Sequence, residues 1–185
     1  MAKRAAANGS GAAWAVAVHR VFRESAIRQV GYVPDAGLSR LITLCETDSE
    51  IRDVVLATEE EGVALMAGAW LGGQRGALLM QSSGIGNCIN VLSMVSACAF
   101  PLMMLVTMRG EWGETNPWQV PMGQSAARHL ELAGVIVYPV IRAEEVGETV
   151  AQAAQLVFSS SRAAAVLISQ RVIGAKVFVG DEVKD

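Results

Sequence analysis

Apolar residues recur at helical spacing over residues 14–29, at Val18, Val21, Phe22 and Ala26, and Gly31 stands where a C-cap glycine would end that helix. A short apolar run at 32–33 meets Pro34, and Asp35 is placed to cap a second helix over 41–44. Residues 54–57 then read as a buried strand, with Thr58 as the cap of a helix over 60–73. The pattern goes on to predict a strand at 77–81, a helix at 85–97, a strand at 102–108 and a loop at 109–123. A short helix at 125–133, a strand at 135–138, a helix at 143–159 and a strand at 164–169 complete it. Strands with no polar face, alternating with helices, call for a parallel sheet covered on both sides. Right-handed crossovers make this an open, doubly wound α/β domain of about six strands, spanning residues 13–175. A flexible lead-in at 1–12 and a tail at 176–185 are expected to flank it. In such sheets ligands sit beyond the carboxyl ends of the strands.

Composition narrows the function classes. The chain has 185 residues, 52% of them hydrophobic and 18% charged, which excludes a disordered tail protein. A net charge of −3 and the lack of any basic run argue against a nucleic-acid partner. The greasiest stretches, 86–106 and 12–18, are broken by Asn90, Ser93, Ser96 and Pro101 or stop at His19, so no membrane span is expected. No h-region follows the first charged residues, so no signal peptide is expected either. Three cysteines, Cys45, Cys88 and Cys98, lie in apolar surroundings and fit reduced core thiols of a cytoplasmic protein.

Several segments carry candidate chemistry. Glu59, Glu60 and Glu61 sit at the mouth of a strand and the first turn of a helix, where acidic residues also serve simply to complement the helix dipole. Ala64, Gly68 and Gly72 follow at four-residue spacing and leave one helix stripe almost bare. Glycine inside a helix costs about 1 kcal/mol against alanine, so the stripe implies close approach, either of a neighbouring helix or subunit or of the sheet. The turn Gln81-Ser82-Ser83-Gly84-Ile85-Gly86-Asn87 either cradles an anion or cofactor edge or merely permits a tight turn. It is neither a dinucleotide fingerprint nor a Walker loop, having Ile89 at the third glycine position and no lysine. Two of the four tryptophans fall in the 109–123 loop, which reads as an interface or active-site loop or as a packing lid. His19 and His129 have no Cys or Asp at ligand spacing and read as structural; no metal site is expected on this chain.

Taken in order, Tyr32-Val33-Pro34-Asp35, Glu59-Glu60-Glu61-Gly62-Val63, Ala67-Gly68-Ala69-Trp70, Met80 to Asn87, and Arg109-Gly110 with Pro121-Met122-Gly123 resemble the pyrimidine-binding domain of thiamine diphosphate-dependent decarboxylases. Within that group the resemblance is to sulfopyruvate decarboxylase alpha subunits and the matching part of phosphonopyruvate decarboxylases, over residues 14–170. It implies a glutamate that hydrogen-bonds the cofactor's aminopyrimidine ring. Counting back from Trp70, which replaces the usual tyrosine, gives that role to Glu60, with Glu59 in reserve. A carboxyl group in a dry cleft can share a proton with a ring nitrogen, and the cofactor then acts as electron sink while a 2-oxo acid loses CO2. The resemblance further implies that Pro34, Gln81, Ser82, Gly84 and Asn87 line the cofactor and that Asp35 faces the reacting centre. A second anionic group on the substrate would want a cation, for which Arg109 is the candidate; it equally could cap a helix or pair with Glu111 or Glu114. Ala36 stands where the family commonly has serine, and Ser82 where it has asparagine.

The family holds its diphosphate through Mg2+ on a Gly-Asp-Gly segment followed some way on by asparagines, whereas this sequence has Gly180-Asp181-Glu182. The resemblance therefore implies half of a split enzyme, with a separate diphosphate-binding beta subunit that holds Mg2+, and self-association through the pyrimidine-binding domains. The expected function is decarboxylation of a small 2-oxo acid, sulfopyruvate or phosphonopyruvate. A carboligase subunit and a non-catalytic α/β scaffold are the alternatives.

Overall fold

Six parallel strands form one sheet in the computed structural model, which describes residues 2–174 and side chains from residue 13 onward. The elements are α1 (Ala2–Glu24), β1 (Ile27–Tyr32), α2 (Ser39–Glu46), β2 (Arg52–Val55), α3 (Glu59–Leu71), β3 (Arg75–Gln81), α4 (Gly84–Cys88) and α5 (Ser93–Cys98). They continue as β4 (Leu102–Thr107), α6 (Val120–Leu132), β5 (Ile136–Val140), α7 (Val146–Ser160), β6 (Ala163–Ile168) and α8 (Gln170–Ile173). The strand order is β2-β1-β3-β4-β6-β5, every neighbouring pair parallel, so the doubly wound α/β expectation holds. The expected 176–185 tail, with Gly180-Asp181-Glu182, lies outside the described residues.

Alternation along the central strands feeds two cores. Ala77 and Leu79 of β3 and Met103 and Leu105 of β4 meet Trp14, Val18 and Phe22 of α1, Leu41 of α2 and Val150 of α7. Leu78 and Met80, with Met104 and Val106, turn to the opposite face, onto Val63 and Met66 of α3, Ile85 of α4 and Leu130 of α6. Each such fully buried side chain contributes on the order of 1.5–3 kcal/mol. This two-sided burial explains why β3, β4 and β6 show no polar face. From β1 the chain steps out to β2, then crosses back to β3 on the other edge of β1. The carboxyl ends of β1 and β3 thus flank a topological switch point, where a crevice opens.

The structure departs from the sequence pattern in several places, and the strand expected to be buried over 54–57 is β2, a partly exposed edge strand at Arg52–Val55. The expected helix over 14–29 ends at Glu24, and residues 27–29 belong to β1, with Ala26 making the turn at φ 54°. An alanine in the left-handed region gives no breaker signal, and Gly31 lies within β1, where a Cβ would crowd Leu65 of α3 at 3.1 Å. The helix expected over 85–97 is broken into α4 and α5, because glycines and asparagines are poor helix formers and Ser93 Oγ donates to the Asn90 carbonyl oxygen. Finally, α6 starts at Val120, five residues before the expected position, with Pro121 in its first turn where the missing N–H costs nothing. Cys45 and Cys88 are buried, and burial pushes both thiols up to about 12; Cys98 is exposed, contrary to the expected core position. No helix among the described residues is long and apolar enough to cross a membrane.

Candidate active site

Three strand ends converge on Asp35. The Gly37 amide donates to Oδ2 at 3.0 Å, Gln81 Nε2 donates to Oδ1 at 3.0 Å, and Thr107 Oγ1 donates to Oδ2 at 2.8 Å. These groups come from the loop after β1, the end of β3 and the end of β4, so the carboxylate spans the switch point. Asp35 thus closes a turn with Gly37; Leu38 takes the N-cap position of α2 and makes no side-chain cap bond. Pro34 and Asp35, with Tyr32 and Ser39, line a cavity of about 400 Å³. The Tyr32 hydroxyl donates to Glu46, which also lines that cavity, at 2.8 Å and is held far from ionisation by burial and that carboxylate.

The three glutamates have different fates. Glu59 is 7% exposed and accepts from Asn87 Nδ2 at 2.8 Å. Its carboxyl group lies under Gly84, where a Cβ would come within 2.5 Å of Oε1. Gly84 is therefore required by the close approach of Glu59, and the glycine-rich turn acts as its roof. Glu61 reaches back to accept the Ala57 amide at 2.9 Å and closes the first turn of α3; Thr58, at the expected cap position, makes no side-chain cap bond. Glu60 is exposed and makes no hydrogen bond or ion pair among the described residues. The helix start thus presents one free carboxylate, flanked by two that are used internally.

Gln81 joins two cavities. Its amide nitrogen serves Asp35, and its oxygen accepts from Ser83 Oγ at 3.0 Å. Ser83 and Asn87 in turn line a second cavity of about 610 Å³ with Trp118, Met122 and His129. Ser82, expected at the cofactor edge, is fully buried: its hydroxyl oxygen accepts the Arg109 amide at 3.1 Å and its own amide donates to the Thr107 carbonyl oxygen. It braces the ends of β3 and β4.

Of the roles open to Arg109, the structure shows pairing with Glu114. Nε and Nη2 both donate to that carboxylate at 2.7 Å, and each side chain is 4% exposed. The Arg109 guanidinium, with the Asn116 amide and Gln170, holds the Glu114 carboxyl down at about 2, against the opposing effect of burial. Glu111 accepts from Ser169 Oγ at 2.9 Å, and Gln170 Oε1 accepts the Glu111 and Trp112 amides. The loop is thus pinned over the end of β6, while Trp118 stands 84% exposed. The 109–116 half therefore packs as a lid on the end of β6, while the 117–119 turn carries Trp118 into the open.

Elsewhere, His19 pairs with Asp48 at 2.9 Å, a structural use, and among the described residues no cluster of His, Cys, Asp or Glu is placed to hold a metal ion. The bare stripe of α3 does not pack on the sheet: Ala64, Gly68 and Gly72 border an open groove of about 660 Å³, and nothing lies within 4 Å of a Cβ at Gly68. Residues missed in the sequence are Thr107 and Gln170. A lone hydroxyl ending an otherwise apolar strand was the available signal for the first; the second needs the folded loop.

No protein-family model matches the chain. Among solved structures it is similar to 2-oxoglutarate:ferredoxin oxidoreductase from Magnetococcus marinus, with a TM-score of 0.71 over 86% of this chain and 29% of that one, at 14% identity, a likeness of fold. Among curated relatives, sulfopyruvate decarboxylase subunit alpha from Methanococcus maripaludis is 31% identical over 82% of this chain and 92% of that protein. The Methanocaldococcus jannaschii subunit is 32% identical over 82% and 90%. Phosphonopyruvate decarboxylase from Streptomyces viridochromogenes is 35% identical over 57% of this chain and 27% of its own length. The relatives place the chain in the thiamine diphosphate-dependent decarboxylase class. The chain belongs to the family of sulfopyruvate decarboxylase alpha subunits. The relatives' designation as alpha subunits implies a partner subunit.

Proposed function

We propose that the chain is the alpha subunit of a split 2-oxo acid decarboxylase, completed by a separate diphosphate-binding beta subunit that holds Mg2+. Sulfopyruvate, giving sulfoacetaldehyde and CO2, is the proposed substrate, with phosphonopyruvate next. The observation that carries this reading is the free carboxylate of Glu60. It stands exposed in the first turn of α3 and makes no hydrogen bond or ion pair among the described residues, next to Glu59, which Asn87 holds. A group so placed fits a ring supplied from across a subunit seam. Bound there, thiamine diphosphate supplies an electron sink for the bond that releases CO2.

The chain's own residues divide the remaining work. Glu60 holds a proton at the aminopyrimidine nitrogen. Glu59, locked to Asn87 beneath Gly84, fixes the first turn of α3 and so aims Glu60. Asp35, carried on Gln81 and Thr107, faces the reacting centre, and Pro34 walls the same cavity. Arg109 is committed to Glu114, so the second anionic group of the substrate takes its counter-charge from elsewhere in the assembled enzyme. Trp118 and the cavity it borders face the beta subunit, and the open groove at Gly68 accommodates self-association. The buried, unpaired thiols Cys45 and Cys88 fit a cytoplasmic enzyme.

Co-expression with the diphosphate-binding partner tests the reading through native mass, bound thiamine diphosphate and CO2 release across a 2-oxo acid panel. The complex is expected to decarboxylate sulfopyruvate, and the alpha chain alone nothing. Glu60→Gln is expected to lower turnover by about 10²–10⁴-fold, the usual worth of a positioned proton-transfer group. Full partner activity with Glu60→Gln would leave only a scaffold role.

A further inference from the structure

The strand β4 is fully buried from Leu102 to Thr107, and Thr107 is its single polar side chain. A hydroxyl gains nothing over isosteric valine in such a place, and burying it costs free energy unless it is bonded. Thr107 Oγ1 lies 2.8 Å from Asp35 Oδ2 and 3.4 Å from the Met80 carbonyl oxygen. It has one proton to give, and the shorter contact takes it. Asp35 is 72 residues away in sequence, so the bond ties the crevice loop to the most buried strand of the sheet.

Neighbouring groups from the loop and from β3 hold the carboxylate as well. A Cβ at Gly37 would stand 2.8 Å from Asp35 Oδ2 and 3.1 Å from Thr107 Cγ2, so the loop closes tightly over both. A carboxylate only accepts, so Gln81 must turn its amide nitrogen toward Oδ1, and its oxygen then accepts from Ser83. Gln81 is half-buried at the cleft, whereas the Thr107 side chain is fully enclosed. Thr107 is therefore the rigid member of the set.

We propose that Thr107 is the positioning residue for Asp35: its hydroxyl sets the rotamer in which the carboxylate faces the crevice. The consequence for turnover rests on the decarboxylase reading above; the consequence for geometry does not. Thr107→Val removes the hydroxyl at constant shape, and Thr107→Ser keeps it. Both are made in the alpha chain, assembled with the beta subunit, and followed by crystal structure, melting temperature, kcat and KM. In Thr107→Val the Asp35 carboxylate is expected to leave its present rotamer. Turnover per assembled site is expected to fall about tenfold, as for loss of one hydrogen bond to a charged group, with KM within about twofold. Thr107→Ser is expected to restore both geometry and kcat. Should the valine variant fail to assemble, Thr107→Ala replaces it with the same expectations.

An unmoved Asp35 in the valine variant overturns the proposal, as does a serine variant as impaired as the valine one. A lowered melting temperature with unchanged kcat per site would make Thr107 merely structural and also overturn it. A wild-type complex that turns over no 2-oxo acid would defeat the enzymatic reading, while the Asp35 rotamer in Thr107→Val still decides the positioning claim.

Discussion

Substituting alanine at Gly84 should destabilise the chain through one identifiable collision. The added Cβ would stand 2.5 Å from both Cγ and Oε1 of Glu59, about 1 Å short of an ordinary contact. Glu59 is buried and its carboxyl group is held by Asn87, so it cannot swing aside without breaking that bond. Overpacking of this kind costs about 1–3 kcal/mol, and loss of the bond from the exposed Asn87 amide to the carboxylate about 0.5–1 kcal/mol more. A total near 3 kcal/mol corresponds to a melting temperature lower by about 6–12 °C for a domain of this size. Glu59→Ala removes every atom in the collision. In that background Gly84→Ala should cost nothing or stabilise slightly, since alanine is the better helix former. Urea unfolding of the full chain and its single and double variants measures the coupling, expected at about 2–3 kcal/mol. Additive effects, or a neutral Gly84→Ala alone, would refute the claim that the glycine exists to seat Glu59.

Other outcomes follow from the same geometry. Glu114→Gln should destabilise the chain by about 3–5 kcal/mol at neutral pH, because it leaves the Arg109 charge buried and unpaired. The Glu114 carboxyl is lowered from about 4.5 to about 2 on folding, so its contribution is complete above the unfolded value and is lost as pH falls through that window. Acid titration of stability should show that component in the wild type and lack it in the glutamine variant. Trp118→Ala should leave the melting temperature of the chain unchanged but weaken beta-subunit binding at least tenfold by calorimetry, and an unchanged affinity would remove Trp118 from the interface. Gly68→Ala should stabilise the isolated chain by about 1 kcal/mol, as nothing occupies the space, whereas Gly68→Leu should block self-association in sedimentation experiments.

Much of the fold is legible in the sequence because a parallel sheet buried on both faces leaves continuous apolar runs. Residues 102–108 and 164–169 are of that kind and match β4 and β6 closely. β1 hides because Arg28 and Gln29 interrupt it, because the helical period of α1 runs on into it, and because its turn uses alanine at positive φ. At the site, the glutamate triplet announces itself by its charge at a strand mouth, and the turn by its glycines, which are costly in a helix. Which glutamate points outward is not written there: it depends on Asn87 and Gly84 arriving from another element. Arg109 shows the same limit. Its partner lies five residues on, yet burial of the pair depends on Gln170 and the end of β6.

The central claim is that Glu60 acts on a ring bound across a subunit seam. Exchange of the thiamine diphosphate C2 proton for deuterium, followed by quenched-flow NMR, tests it most directly. Exchange should be fast in the assembled wild-type complex. It should be slow with either subunit alone, slowed at least a hundredfold by Glu60→Gln, and little changed by Glu59→Gln. Fast exchange in the Glu60→Gln complex, or in the beta subunit by itself, would contradict it.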